Sequence, residues 1–272
     1  MLSLLKDLIE FICAAIYYIY LSIFRNKPVR VLIYYHGIRN IEAGTFAEQM
    51  VYLAKNCIVV KPSEIKNSNV GPKSVIVGIT FDDAFVSVME NAVPILREYG
   101  LPAGIFVPVG NLGQKPRWEM PVNCSDRDEI VMNEEQIAEL DKDGFEIFSH
   151  TVSHPVLTKI DDVRLETELA ESRRALERLV NHAVVGVSYP HGACDARVCN
   201  VAQRCGYKLG FTIEPSTIES NTDNLRIGRF SVSPRDSLFK FKLKVNGAYE
   251  AVGLLGVLKT SLTRYFGKWR VK

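Results

Sequence analysis

The sequence encodes an α/β protein whose mostly parallel sheet closes into an irregular barrel behind an apolar N-terminal helix. Short apolar runs at residues 29–35, 75–81, 104–109, 145–149, 184–189 and 207–213 alternate with helical periodicity at 45–55, 88–99, 133–142, 161–180 and 195–205. Buried strands separated by amphipathic helices are the pattern of parallel βαβ units, and roughly six or seven such units favour closure over an open sheet. Gly100-Leu101-Pro102 and Gly144 then supply helix stops ahead of the third and fourth strands.

The first element is the apolar stretch 8–24, LIEFICAAIYYIYLSIF, seventeen residues whose single charge is Glu10. That is the short limit of a helix that spans a bilayer. Asp7 and Glu10 interrupt what would be a basic leader, and no small-x-small site follows, so the segment is expected to be retained. Arg25, Lys27 and Arg30 follow it while only Lys6 and the amino terminus precede it. This bias predicts membrane association with the main domain at the cytoplasmic face of the inner (plasma) membrane. A helix lying in the interface with a tyrosine belt, or one packed on its own domain, fits the same composition. The expected organisation is a membrane-associating helix at 1–27, a main domain at 28–247 and a basic amphipathic tail at 248–272. Residues 256–272 carry five cations, no acids and several bulky apolar groups, which suits an anionic membrane surface.

Within the domain the strand ends carry the chemistry. The first strand runs into His36, the second into Asp82 and Asp83, the fourth into His150-Thr151-Val152-Ser153-His154, and the fifth into Tyr189-Pro190-His191-Gly192. Side chains at the C-terminal ends of parallel strands share one mouth. Two imidazoles and one carboxylate form a three-ligand set for a divalent metal, with zinc preferred and a fourth position open to water. A second carboxylate beside the ligand can take that water's proton. A zincin helix is excluded because Thr151, not Glu, follows His150. The segment 110–127, with Pro116, Trp118 and Pro121, has no period and reads as a long loop lining the substrate cleft.

Composition narrows the function classes. At 272 residues, 47% hydrophobic and 24% charged, the chain can bury one large core, and a net charge of +2 argues against nucleic acid as a partner. Six cysteines lack CxxC spacing and read as scattered thiols without assigned chemistry, Cys199 and Cys205 lying on a helix that packs on the sheet.

In their order and spacing, Thr80-Phe81-Asp82-Asp83, His150-Thr151-x-x-His154 and Ser188-Tyr189-Pro190-His191-Gly192 resemble the polysaccharide deacetylase family (NodB homology, carbohydrate esterase family 4). The resemblance extends to residues 31–37, 46–50 and 225–232 and covers roughly 28–247. It implies a distorted (β/α)7 barrel of the NodB-like type, with Asp83, His150 and His154 binding a divalent metal, usually Zn2+, and Asp82 as catalytic base. It also implies a backbone N–H donor to the oxyanion, which by position falls to His191. Two departures stand out. Ser188 occupies the place where the family often has the arginine that orients the base, and Arg229 in the late strand is the substitute. No Leu-x-His follows near the C-terminus, so His36, with His191 next, is assigned as the acid or as a substrate contact. The implied reaction is removal of the acetyl group from an amino sugar in a polysaccharide or lipid-linked glycan precursor. A deformylase acting on a lipid-linked amino sugar and a non-catalytic glycan-binding or assembly component are the alternatives.

Overall fold

A computed structural model of the chain describes residues 2–67, 70–122 and 124–253. Of the expected basic tail at 248–272, residues 254–272 lie outside the described residues. In chain order the elements are α1 (Leu2–Phe24), β1 (Val29–Tyr35), α2 (Ala43–Asn56), β2 (Ile58–Val59), β3 (Val75–Phe81), α3 (Val86–Asn91) and α4 (Val93–Tyr99). There follow β4 (Ala103–Val107), α5 (Glu134–Lys142), β5 (Glu146–Ser149), α6 (Asp162–Val180), β6 (Gly186–Ser188), α7 (Ala196–Arg204), β7 (Leu209–Phe211), β8 (Phe230–Ser231) and α8 (Leu238–Val245).

The sheet runs β7-β6-β5-β4-β3-β1-β8 with every pairing parallel, and β2 adds to the first half of β3. The sheet curls until its ends meet through one irregular segment. Ile227 bridges Phe211, its N–H donating to the Gly210 carbonyl at 2.8 Å and its carbonyl accepting from Thr212 at 2.8 Å. A few residues later β8 pairs with β1. The barrel expected from the strand count is therefore present, with a frayed closure.

Strand parity explains the interior. Side chains two apart share a face. Leu32, Ile76, Phe106, Phe148, Phe211 and Ile227 fill one buried cluster inside the barrel, while Ile33, Phe81, Ile105 and Ile147 pack outward with Phe46, Met50 and Leu169 from the helices. Phe148 is flanked by Gly104 and Gly186, where an added Cβ would come within 2.8 and 2.7 Å of its ring. The same parity carried past the strand ends places His36, Asp82 and His150 on the inner face.

Some elements depart from expectation. The helix at 88–99 divides into α3 and α4 at Ala92, because Pro94 at the start of α4 has no N–H to donate backwards. The strands at 184–189 and 207–213 shorten to three residues each, and beside the second the segment 224–229 supplies backbone bonds without a regular ladder. Finally, α8 forms where no helix was expected, capped by the Ser237 hydroxyl accepting from the Lys240 N–H.

The N-terminal helix lies against the domain. Phe11, Ala14, Ala15, Tyr17 and Tyr18 pack on Leu243, Ala248 and Tyr249, and the rings of Phe11 and Phe239 meet edge to face at 5.7 Å. Its opposite face is apolar and exposed. Cys199 lies on α7 and Cys205 caps it, and Cys194 Sγ is 3.0 Å from Cys199 Sγ with both thiols free.

Candidate active site

The three expected ligands converge. Asp83 Oδ1 is 3.5 Å from His150 Nε2 and 3.5 Å from His154 Nε2, and all three side chains are buried. Three atoms bonded tetrahedrally to one ion at about 2.0–2.2 Å stand about 3.3–3.6 Å apart, so the spacing fits a shared cation. Hydrogen bonding supports the same reading, because Asp83 Oδ1 is buried without a hydrogen-bond partner. A buried carboxylate oxygen in that condition is costly unless a cation satisfies it.

The histidine pair is four apart, yet no helix sets its geometry. His150 continues β5, its N–H donating to the Val107 carbonyl at 2.9 Å, and its Nδ1 lies 2.8 Å from the Ser188 carbonyl oxygen. A carbonyl can only accept, so Nδ1 carries the proton and the Nε2 lone pair is free for a cation shared with Asp83. His154 reaches the same point through a turn in which Thr151 and His154 have φ of 67° and 58°. Of the six non-glycine residues with positive φ among the described residues, Asp83, Ala84, Thr151, His154 and His191 are in these strand-end loops. Backbone held in that region marks a place where side-chain direction outweighs local comfort.

Sequence reasoning missed what holds the histidine turn. Glu168 on α6, 6% exposed, accepts from the N–H groups of Val152 at 2.9 Å and Ser153 at 2.8 Å and from the Ser153 hydroxyl. Ser149 Oγ accepts from the Thr151 N–H, and Thr151 Oγ1 from the His154 N–H, each at 3.1 Å. No spacing rule links a glutamate in a 19-residue helix to a turn that precedes it. The cleft loop behaves as expected in one respect: Trp118 stacks on the His154 ring at 4.6 Å.

Asp82 sits 3% exposed beside the ligand set. Arg229 Nη1 and Nη2 donate to its two oxygens at 2.7 and 2.9 Å. The other three guanidinium N–H groups go to the Thr212 carbonyl, Thr80 Oγ1 and Ser188 Oγ, at 3.0, 3.2 and 2.7 Å. All five donors are used, and Arg229 is fully buried. Burial alone would raise the Asp82 pKa, but the Arg229 charge, then His150 and the Arg229 hydrogen bonds, outweigh it and hold the carboxyl below its usual value. Its neighbour goes the other way. Burial pushes Asp83 up to about 7, with His36 opposing and the Asp82 charge adding to the rise. Burial also lowers His150 to about 4 and His154 further, so both imidazoles are neutral near pH 7. The two adjacent carboxyl groups are thus pushed apart, Asp82 toward the ionised form and Asp83 toward holding a proton.

The remaining expected residues lie at the mouth. His36 is exposed, its Nε2 4.0 Å from Asp83 Oδ2, and the His191 ring is edge-on to His154 at 4.8 Å. Partial burial and the Lys159 charge push the His191 pKa down.

The polysaccharide deacetylase family model matches residues 69–210. The YxkH protein of Bacillus subtilis is 26% identical over 219 residues, covering 77% of this chain and 74% of its own. A poly-beta-1,6-N-acetyl-D-glucosamine N-deacetylase of Staphylococcus aureus is 27% identical over 177 residues, 62% of this chain; the match spans only 57% of the staphylococcal protein's length. In fold, the chain is similar to a Streptococcus pyogenes deacetylase, PplD, solved with acetate, at TM-score 0.67 and 23% identity, covering 80% of this chain and 98% of that one. With the family's Asp-Asp and His-x3-His residues gathered in one buried cluster and its model matching more than half of the sequence, this chain belongs to the polysaccharide deacetylase family and is a metal-dependent hydrolase of the acetamido group of an amino sugar.

Proposed function

We propose that the chain removes acetyl groups from N-acetylated amino sugars in an envelope glycan or its lipid-linked precursor, at a membrane surface and with zinc as the metal. The observation that carries the reading is the buried, unpartnered Asp83 Oδ1 set between two neutral imidazoles and next to an ionised Asp82. One carboxylate with two imidazoles suits zinc. When bound, a divalent cation there supplies Lewis acidity toward the acetamido carbonyl and lowers the pKa of water.

The protein's own groups do the rest. Asp82 accepts the proton of the attacking water, and Arg229 keeps it ionised and aimed by its two-point contact. The His191 backbone N–H is assigned to the developing oxyanion. His36 is assigned as the donor to the leaving amine, because it opens to solvent at the mouth while the lowered pKa of His191 leaves that ring a weaker acid supply. The name of the staphylococcal relative supports a β-1,6-linked N-acetylglucosamine glycan as the first compound to try. The apolar helix supports placement at a membrane, and the cations that follow it suit the anionic cytoplasmic leaflet of the inner membrane.

The test is acetate release from soluble and lipid-linked N-acetylglucosamine oligomers by protein of measured metal content. Release that vanishes with chelation and returns with zinc is the expected result. Formate release from N-formyl sugars alone, or no release from metal-loaded protein, overturns the acetyl assignment.

A further inference from the structure

On the outer side of α1, Leu5, Leu8, Ile12, Ile16, Ile19 and Ile23 are all exposed and follow one another at three- and four-residue steps, so they form a single stripe. The helix has three charged residues, Lys6, Asp7 and Glu10. At 3.6 residues per turn each lies about 100° or more from the centre of that stripe. The face opposite the stripe already has its partner in α8. A contiguous apolar face of this length is covered in the working protein.

We infer that α1 lies in the plane of a lipid bilayer surface, half immersed along its outer stripe, so that the barrel axis runs along the membrane and the catalytic mouth opens sideways at headgroup height. The inference rests on the membrane reading above and decides between a spanning and an in-plane helix. The reason is the contact with α8. Phe11 meets Phe239, Ala14 meets Leu243, and Arg25 Nη1 reaches Asn246 Oδ1 at 3.5 Å, so the two helices lie side by side and point the same way. If α1 crossed the hydrocarbon layer in this arrangement, α8 would enter with it, carrying Lys240, Lys242 and Lys244. A cation at mid-bilayer is costly even on the most lenient scale. Crossing without α8 would uncover Leu243 and Ala248, both fully buried now. An in-plane helix incurs neither cost. Lys6, paired with Glu10, is exposed on the flank of the helix beside the first stripe residues, and Lys27 is exposed beyond the last, where anionic headgroups would meet them.

Orientation follows from the chain path. The end of β8 pairs with the end of β1, α8 then returns to the foot of the barrel at Asn246, and α1 descends beside it before β1 rises from Val29. The stripe therefore lies along the barrel, with its N-terminal end on the side of Asp83, His150 and His154. A saccharide held at the bilayer surface would approach the metal laterally.

The test uses the full chain and vesicles of phosphatidylethanolamine and phosphatidylglycerol, with tryptophan placed singly by Leu5→Trp, Ile12→Trp and Ile23→Trp. Quenching by lipids brominated at graded acyl depths is read as the difference from the parent. All three positions at one shallow depth is the expected result, with Ile16→Glu lowering vesicle partition about tenfold or more and leaving metal content unchanged. A deep Ile12 position between two shallow ends would overturn the in-plane geometry and leave the membrane reading standing. No vesicle binding, with a dimer in solution that Ile16→Glu dissociates, would assign the stripe to a second copy and overturn both.

Discussion

Arg229 and Asp82, 147 residues apart in sequence, form a fully buried two-point ion pair in which Nη1 and Nη2 each reach one carboxylate oxygen, at 2.7 and 2.9 Å. The small Ser188 makes this possible. Its hydroxyl accepts from the same guanidinium at 2.7 Å, at the position where the family resemblance leads one to expect an arginine. In this chain the arginine that grips Asp82 comes from the segment between β7 and β8.

The first prediction concerns that pair. Arg229→Lys keeps a charge but loses the fork, so the Asp82 carboxyl should titrate higher and the acid limb of the kcat/KM profile should move to higher pH. Arg229→Met should also destabilise the fold by about 3–5 kcal/mol, because it leaves a buried carboxylate unpaired. An unchanged pH profile in the lysine variant would remove Arg229 from the mechanism.

The two carboxylates should separate cleanly by mutation. Asp83→Ala should lose metal and activity together, whereas Asp82→Asn should retain metal and lose about 10²- to 10⁴-fold in rate. Metal analysis alongside initial rates checks this, and an Asp82→Asn variant with parental turnover would exclude Asp82 as the base.

Metal binding should release a proton below neutrality. With Asp83 raised to about 7 and His150 lowered to about 4, the ligand that exchanges a proton for metal near pH 6 is the carboxyl. Calorimetry in buffers of different ionisation enthalpy should count close to one proton per metal at pH 6 and almost none at pH 8. The sign carries over to stability. A carboxyl with a raised folded pKa binds more protons folded than unfolded between about 4 and 7, so the metal-free protein loses stability as pH rises through that window. The Tm gain on adding metal should therefore be larger at pH 8 than at pH 5.5.

Glu168 should tune metal affinity from a distance. Glu168→Ala strips acceptors from two backbone N–H groups and a hydroxyl in the turn before His154, at about 1–3 kcal/mol for each buried donor left unpaired. Metal affinity should fall while β5 and His150 stay in place. Equal metal affinity in the variant would make Glu168 a stabiliser of the fold alone.

His36→Ala should lower kcat with bound metal unchanged, and the basic limb of the pH profile should move or disappear. A rise in KM alone would make His36 a substrate contact and pass the acid role to His191 or solvent.

The inward placement of Asp82 and His150 is legible in the sequence because strand period and residue order are local properties, whereas Asp83 and His154 enter the cluster through positive-φ turns. Val75–Phe81 and Glu146–Ser149 can be read as buried strands, and parity then aims Asp82 and His150 inward from their ends. The inward position of Arg229 follows the same rule, two residues from Ile227 and two from Ser231. Other features have no local signature. The run Phe239-Lys240-Phe241-Lys242-Leu243-Lys244-Val245 alternates with period two, which favours a strand, yet it forms α8 because packing against α1, α2 and β1 overrides a short pattern. The grip of Glu168 on the histidine turn, the exchange of Ser188 and Arg229 around Asp82, and the docking of α1 on α8 each join residues far apart in the chain. Side-chain hydrogen bonds and packing depend on distances in space. Sequence periodicity records only which way each residue faces along its own element.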